Sequence, residues 1–293
     1  MTPGPAVLIL HLSRPDLAAT PVYSAPSAHY GDTSMRFWGD SFEVTVNVPD
    51  WRSLERHVSS RLRSGTGFSL ATLNLDHLVK LRSDARFREA YAAQDLIVAD
   101  GNPVVWMSRL AGQSLELVPG SDAVLPLTRI AAAHRKSVAL VGSTDDALLR
   151  AKAHLEQHVP GVSIIATIAP PMGFDPHGPS ADAVLEQVSA TGADVVFLAL
   201  GAPKQELFAA YGRSKLETVG FVSIGASLDF FAGKQTRAPR WVRAIAMEWL
   251  WRTLTHPTRL IPRYARCFAI LPTEIVHAVK LRFETGPHRH SKV

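Results

Sequence analysis

Asp100 is the residue best placed to move a proton. It ends a short apolar run, residues 96–99, and precedes Gly101-Asn102-Pro103. This is a carboxylate leaving a buried strand, followed by a glycine and by a proline able to open a helix. Ligands of open parallel sheets gather outside the carboxyl ends of the strands, so Asp100 is a candidate general base. The competing reading is a cap on the next helix. Thr72 and Asn74 end a second apolar run, residues 67–73, and offer a hydroxyl and an amide at the same kind of position.

Three further stretches suit a nucleotide. Gly142 and Ser143 follow a strand and open a helix, so their amides could hold a phosphate. In Leu200-Gly201-Ala202-Pro203-Lys204-Gln205-Glu206, Gly201 permits close backbone approach, and Pro203 fits a first helical turn. Lys204 and Gln205 then bring a charge and an amide to the helix N-terminus; a solvated surface is the other explanation of Lys-Gln-Glu. Gly225 and Gly233 bound a loop with one acid, Asp229, among apolar residues. Asp229 could accept hydrogen bonds from a base or ribose, or cap a helix. A dinucleotide fingerprint, with three spaced glycines and an acid about twenty residues on, is absent, as is a Walker-type lysine loop. No Asp-x-Asp pair is present, and His154 and His158 stand four apart with no third ligand evident. They read as a solvated helix face, and no metal or cofactor is expected.

The elements that must position these residues alternate. A half-buried strand from residue 42 leads to a helix capped by Asp50. Strands come near 68–73, 95–99, 138–141, 162–168, 194–200 and 219–224, with helical sequence between them. Val/Ile-rich strands alternating with helices predict an α/β fold, Rossmann-like, with a mainly parallel sheet covered by helices.

The chain has 293 residues, 46% hydrophobic and 19% charged, which suits a folded globular protein. A single cysteine, Cys267, excludes an intrachain disulfide framework and fits a reducing compartment. No apolar run approaches the ~20 residues of a transmembrane helix, and nothing at the N-terminus reads as a secretory leader, so a cytoplasmic location is expected. Residues 1–40 are rich in Pro, Ser, Ala and Thr and read as an irregular extension; residues 41–236 form the α/β core.

Residues 237–293 form a basic helical appendage. Between Arg237 and Arg282, nine Lys/Arg face two acids, so this segment carries +7 in a chain whose net charge is +5. Trp241, Ile245 and Trp249 share one helix face, while Pro257, Pro262 and Pro272 are expected to break the remaining sequence into short pieces. Tryptophan with arginine on short amphipathic helices suits the headgroups of an anionic bilayer. Ordinary core accounts for an apolar stripe as well, and nucleic acid accounts for arginine.

Taken together and in order, several motifs resemble the WecG/TagA/CpsF family of bacterial glycosyltransferases, family 26. They are Thr72-x-Asn74, Arg86-Phe87-Arg88, Asp100-Gly-x-x-Val-Val-Trp106 and Gly120-Ser121-Asp122. Leu200 through Glu206, Gly225 through Gly233, Arg237-Ala238-Pro239-x-Trp241 and Glu248-Trp249-Leu250-x-Arg252 complete the set. The likeness spans residues 42–283 and implies an inverting transferase. Such an enzyme takes an N-acetylmannosamine-type or related sugar from a UDP donor to a polyprenyl-diphosphate-linked sugar, in cell-surface polysaccharide synthesis. It further implies Asp100 as general base, Thr72, Asn74 and Gln205 near the sugar and diphosphate, and Asp229 with its glycine neighbours in the uridine pocket. Charge on the departing diphosphate would be met without a metal, by the Lys204 region and by Arg237, Arg240 and Arg243. The appendage would hold the enzyme, peripherally, on the inner face of the cell membrane, with no nucleic acid partner. Many members have glycine where this chain has Pro103. A homo-oligomer stays open, and a non-catalytic nucleotide-binding module with a basic surface for RNA or a protein is the alternative function.

Overall fold

A computed structural model of the protein describes residues 34–231, 233, 239, 242, 247–255 and 257–285. The chain enters through an antiparallel hairpin, β1 (Met35–Gly39) and β2 (Phe42–Val46). The hairpin corrects the expectation of irregular chain up to residue 40. Met35 and Phe37 point inward opposite Val46 and Val44, a two-residue alternation too short to stand out beside the Pro/Ser-rich stretch before it. Residues 1–33 lie outside the described residues.

From there strands and helices alternate: α1 (Trp51–Ser64), β3 (Phe68–Leu73), α2 (Leu75–Ser83), α3 (Ala85–Ala92), β4 (Leu96–Ala99) and α4 (Asn102–Leu110). Next come α5 (Gly120–Ala133), β5 (Ser137–Gly142), α6 (Asp145–His158), β6 (Ser163–Ile168), α7 (Pro179–Thr191) and β7 (Val195–Ala199). The series closes with α8 (Lys204–Lys215), β8 (Gly220–Ser223) and the short α9 (Ser227–Phe231). Asp50, Asn74, Asp84 and Thr144 each accept a main-chain N–H at a helix start, which is why helices begin there.

β3 to β8 form one six-stranded sheet in the order β4-β3-β8-β7-β5-β6, with every pair parallel. Helices cover both faces, so β3, β4, β7 and β8 are buried at every residue. Alternation divides each strand between two cores. Leu70, Leu140 and Phe197 join α1, α5 and α6; Val141, Val196 and Leu198 join α7 and α8 on the other face. Ala71 and Leu73 point into a third cluster with α2, α3, α4, the hairpin and the C-terminal helix. At Gly142, with φ +121°, a Cβ would lie 2.4 Å from the Ala199 carbonyl oxygen, so no side chain fits there.

The C-terminal part holds α10 (Glu248–Thr255) and α11 (Pro257–Thr285). α11 corrects the expectation of short proline-bounded pieces, because it runs unbroken for 29 residues through Pro262 and Pro272. Each internal proline removes one helical hydrogen bond and crowds the preceding turn. Packing of Cys267, Ala278 and Leu281 into the third cluster, on both sides of Pro272, offsets that cost, and Leu260 before Pro262 is buried as well. Polar contacts pin the same face. Arg263 lies 3.2 Å from Asp76 of α2, which also pairs with Lys80, and His277 stacks on Trp38 at 4.5 Å. Arg82 of α2 pairs with Glu274, whose side chain is fully buried.

Arg82→Ala strands that buried carboxylate. The variant should lose about 3 kcal/mol near pH 7 in denaturant unfolding, and less as acid protonates Glu274. An unchanged midpoint would mean that the pair does not hold α11.

Candidate active site

The candidate residues come from five carboxyl-terminal loops. In sheet order they are Asp100 after β4, Thr72 and Asn74 at the end of β3, Gly225 and Asp229 after β8, Gly201 to Gln205 after β7, and Gly142 and Ser143 after β5. β3 and β8 are neighbours, yet the helices after them pack in different places: α3, which follows β3 and α2, packs against α8, whereas α9 after β8 packs against α5 and α6. Such a divergence outside the strand ends is the usual ligand position of an open α/β sheet. Four interstrand steps span roughly 19 Å at ~4.8 Å each, the reach of a sugar joined to a nucleoside diphosphate.

On the β3–β4 side, Asp100 Oδ2 faces Thr72 Oγ1 at 3.4 Å and Asn74 Nδ2 at 3.3 Å. The N-cap position of α4 is taken by Gly101, not by Asp100. Gly101 is the residue before that helix, with φ +116° and ψ +135°, and no side chain caps it. Asn74 acts at both ends of its amide, since Oδ1 accepts the His77 N–H at the start of α2 while Nδ2 reaches Asp100. The main chain beneath is fastened by buried polar groups. Tyr91 Oη donates to the Thr72 carbonyl at 2.8 Å, and His77 Nδ1 lies 2.7 Å from that oxygen and 2.6 Å from Tyr91 Oη. With the phenol hydrogen on the Thr72 carbonyl, the imidazole hydrogen belongs on Nδ1. Burial, helped by the nearby Lys80 charge, pushes His77 down to about 3, so the ring is neutral. Burial raises the Tyr91 phenol well above its ordinary value, with Glu206 and Asp100 adding to it.

On the other side, Ser143 Oγ donates to Asp229 Oδ1 at 2.5 Å, linking the loops after β5 and β8. Ser143 holds φ +55°, uncommon for a residue with a side chain. Asp229 lies in the first turn of α9 rather than at its N-cap position. Gln205 Oε1 accepts the Gly225 N–H at 2.9 Å, joining the loops after β7 and β8. The Lys-Gln-Glu triplet is divided: Lys204 is exposed, whereas Gln205 and Glu206 are buried. A solvated surface therefore explains Lys204 alone.

Thus the structure gathers Thr72 and Asn74 about Asp100, and Gln205 and Gly225 with the Ser143–Asp229 pair along the same sheet edge. Arg237, Arg240 and Arg243 lie outside the described residues. Among the described residues, no three His, Cys, Asp or Glu side chains cluster to hold a metal ion; His154 and His158 stack at 4.0 Å. Sequence reasoning gave no role to His77, Tyr91 or Glu206. The available signals were the Phe87–Tyr91 spacing, which puts two aromatics on one face of α3, and the apolar Leu207-Phe208-Ala209 directly after Glu206.

Comparison with known proteins supplies independent information. The model of the glycosyl transferase WecG/TagA/CpsF family matches residues 40–285. An N-acetylglucosaminyldiphosphoundecaprenol N-acetyl-beta-D-mannosaminyltransferase of Bacillus subtilis (strain 168) is 27% identical over 219 residues, 72% of this chain and 82% of that protein. A protein of the same description from Bacillus spizizenii (strain ATCC 23059 / NRRL B-14472 / W23) is 28% identical over 210 residues, covering 69% and 79%.

The double duty of Asn74 can be separated experimentally. Asn74→Ala should cost about 1 kcal/mol through the lost cap. Asn74→Asp should restore the cap and set a second carboxylate beside Asp100, so that one of the two titrates above the ordinary range. Thermal melts and carboxyl NMR titrations read these effects, and equal melts for wild type and Asn74→Ala would contradict the capping role.

Proposed function

Because this chain belongs to the WecG/TagA/CpsF family of glycosyl transferases, we propose that it moves an N-acetylmannosamine-type or related sugar, with inversion, from a UDP donor to a polyprenyl-diphosphate-linked sugar. The product would serve cell-surface polysaccharide synthesis. The observation that carries this reading is Asp100, half-buried at a strand end, with a hydroxyl and an amide aimed at its Oδ2.

In the proposed step Asp100 accepts the proton of the acceptor hydroxyl. The acceptor oxygen bonds to C1 of the donor sugar from the face opposite UDP, while the bond from C1 to the diphosphate oxygen breaks. Thr72 and Asn74 orient the carboxylate. Asp229 and the Gly225 turn hold the uridine end, Gln205 braces that turn, and the amides of Gly142, Ser143 and Gly201 face the phosphates. Lys204, Arg237, Arg240 and Arg243 neutralise the departing diphosphate without a protein-held metal. The printed names of the two Bacillus proteins, which include a diphosphoundecaprenol-linked acceptor and a mannosaminyl group, support the substrate classes.

An acceptor in the bilayer requires an enzyme at its surface, and we assign that task to residues 237–293. No helix among the described residues is long and apolar enough to cross a membrane. The outward side of α11 carries Ile261, Phe268, Ile275, Val276, Val279 and Phe283, all exposed and on one face. Arg266, Lys280 and Arg282 are exposed beside them, a pattern suited to an anionic bilayer surface.

Incubation with UDP-sugars and a lipid-diphosphate-linked sugar should release UDP only when the acceptor is present. Asp100→Asn should slow release roughly 100- to 10,000-fold; unchanged turnover would remove the proposed base, and UDP binding without turnover would favour the non-catalytic alternative. Val279→Glu with Phe283→Glu should weaken sedimentation with anionic vesicles at least about tenfold. Equal sedimentation of variant and wild type would refute the membrane face.

A further inference from the structure

Glu206 is a fully buried carboxyl on the first turn of α8, and Gln205 before it is 2% exposed. Gln205 Nε2 donates to Glu206 Oε1 at 2.7 Å, and Gln205 Oε1 accepts the Gly225 N–H at 2.9 Å. The two bonds leave one orientation for the amide. A flip would set its NH2 against the Gly225 N–H and its carbonyl against the Glu206 oxygen.

The second carboxyl oxygen, Glu206 Oε2, is buried without a hydrogen-bond partner. Nearby Gln94 donates through Nε2 to the main-chain carbonyls of Ala90 (2.9 Å) and Glu206 (3.2 Å), and its own Oε1 is a second unpartnered buried acceptor. Two such acceptors with no donor are costly unless one carries a hydrogen. A proton on Oε2 removes the buried charge that would otherwise sit on an unpaired oxygen. Charges facing Glu206 do not provide the alternative of ionic pairing: Lys80 on α2 is bound to Asp76, and Tyr91 on α3 is a phenol committed to Thr72.

We infer that Glu206 is a positioning residue that works as a neutral acid: it locks the Gln205 amide and, through it, the Gly225 turn leading to Asp229. The link from this lock to donor binding rests on the transferase reading above; the lock itself does not. Burial raises the carboxyl to about 7, against smaller opposing effects of the Gln205 amide, its own main-chain N–H and Lys80. The folded state therefore keeps a proton that the unfolded chain releases near 4.5, and the associated stability is lost as pH rises from there through about 7.

Two measurements on the full chain test the lock and its consequence separately. Hydrogen exchange at the Gly225 amide reads the lock, and calorimetric titration with UDP reads the donor site. Glu206→Gln keeps an acceptor for Gln205 and a donor in place of the acid O–H, so Gly225 protection and UDP affinity should match wild type below pH 7. Above that pH, wild type should lose folding stability in denaturant unfolding as the buried carboxyl ionises, while Glu206→Gln stays flat. Glu206→Leu should expose Gly225 and weaken UDP binding, each about tenfold or more. Unaltered Gly225 protection in Glu206→Leu would overturn the lock; loss in Glu206→Gln equal to that in Glu206→Leu would show that the anion is needed and overturn the neutral acid. Should the Gly225 effects appear while no form binds UDP, the lock stands and the donor reading fails.

Discussion

A parallel sheet buried on both faces makes an unpaired polar group along its strands costly, so its polar chemistry gathers at the strand ends. The two ends are used differently here. At the amino ends, acids act as fasteners. Asp95, before β4, accepts from Ser69 and pairs with Arg61 and Arg213; Asp194, before β7, accepts from Ser137 and Lys136. At the carboxyl ends the chain turns through glycines with positive φ, at positions 101, 142, 201 and 225, and the polar side chains face one another across loops. Asp100 belongs to the second group. Its surroundings of a hydroxyl and an amide, with the helix after it capped by no side chain, set it apart from Asp95 and Asp194.

The strand-end loops are held by contacts that cross between them rather than within them. Asn74 ties the β3 end to β4, Gln205 ties β7 to β8, and Ser143 ties β5 to β8. Beneath Thr72, neutral His77 and Tyr91 hold the main chain from the interior. The C-terminal helix is part of the same framework. It grips α2 through Asp76 and Arg82, and α2 begins at the residue after Asn74. On the proposed reading, a helix anchored there and lying on the membrane surface would bring a lipid-linked acceptor toward Asp100.

Much of this was legible in the residues themselves. Apolar runs ending in Asn74, Asp100, Gly142, Gly201 and Gly225 marked the strands, because a strand buried on both faces has an unbroken apolar sequence. Their order in the sheet was not legible: nothing local to Phe68–Leu73 says that it lies beside Gly220–Ser223. Asp100 stood out because a carboxylate, a glycine and a proline coincide at one strand end. Glu206 did not, because a glutamate on a first helical turn beside a lysine resembles surface, and only three-dimensional packing buries it. The prolines of α11 misled for the complementary reason. Local chemistry disfavours a helix at Pro262 and Pro272, but its buried seam against α2, α4 and β1 outweighs that preference.

The central claim is that one crevice at the carboxyl ends of the strands holds a nucleoside diphosphate sugar with its reacting carbon turned toward Asp100. A crystal structure with a non-transferable UDP-sugar tests it most directly. The account predicts uridine against Asp229 and the Gly225 turn, phosphates at the amides after β5 and β7, and sugar C1 on the side of Asp100, Thr72 and Asn74. Nucleotide bound elsewhere, or in that crevice with its sugar directed away from Asp100, would contradict it.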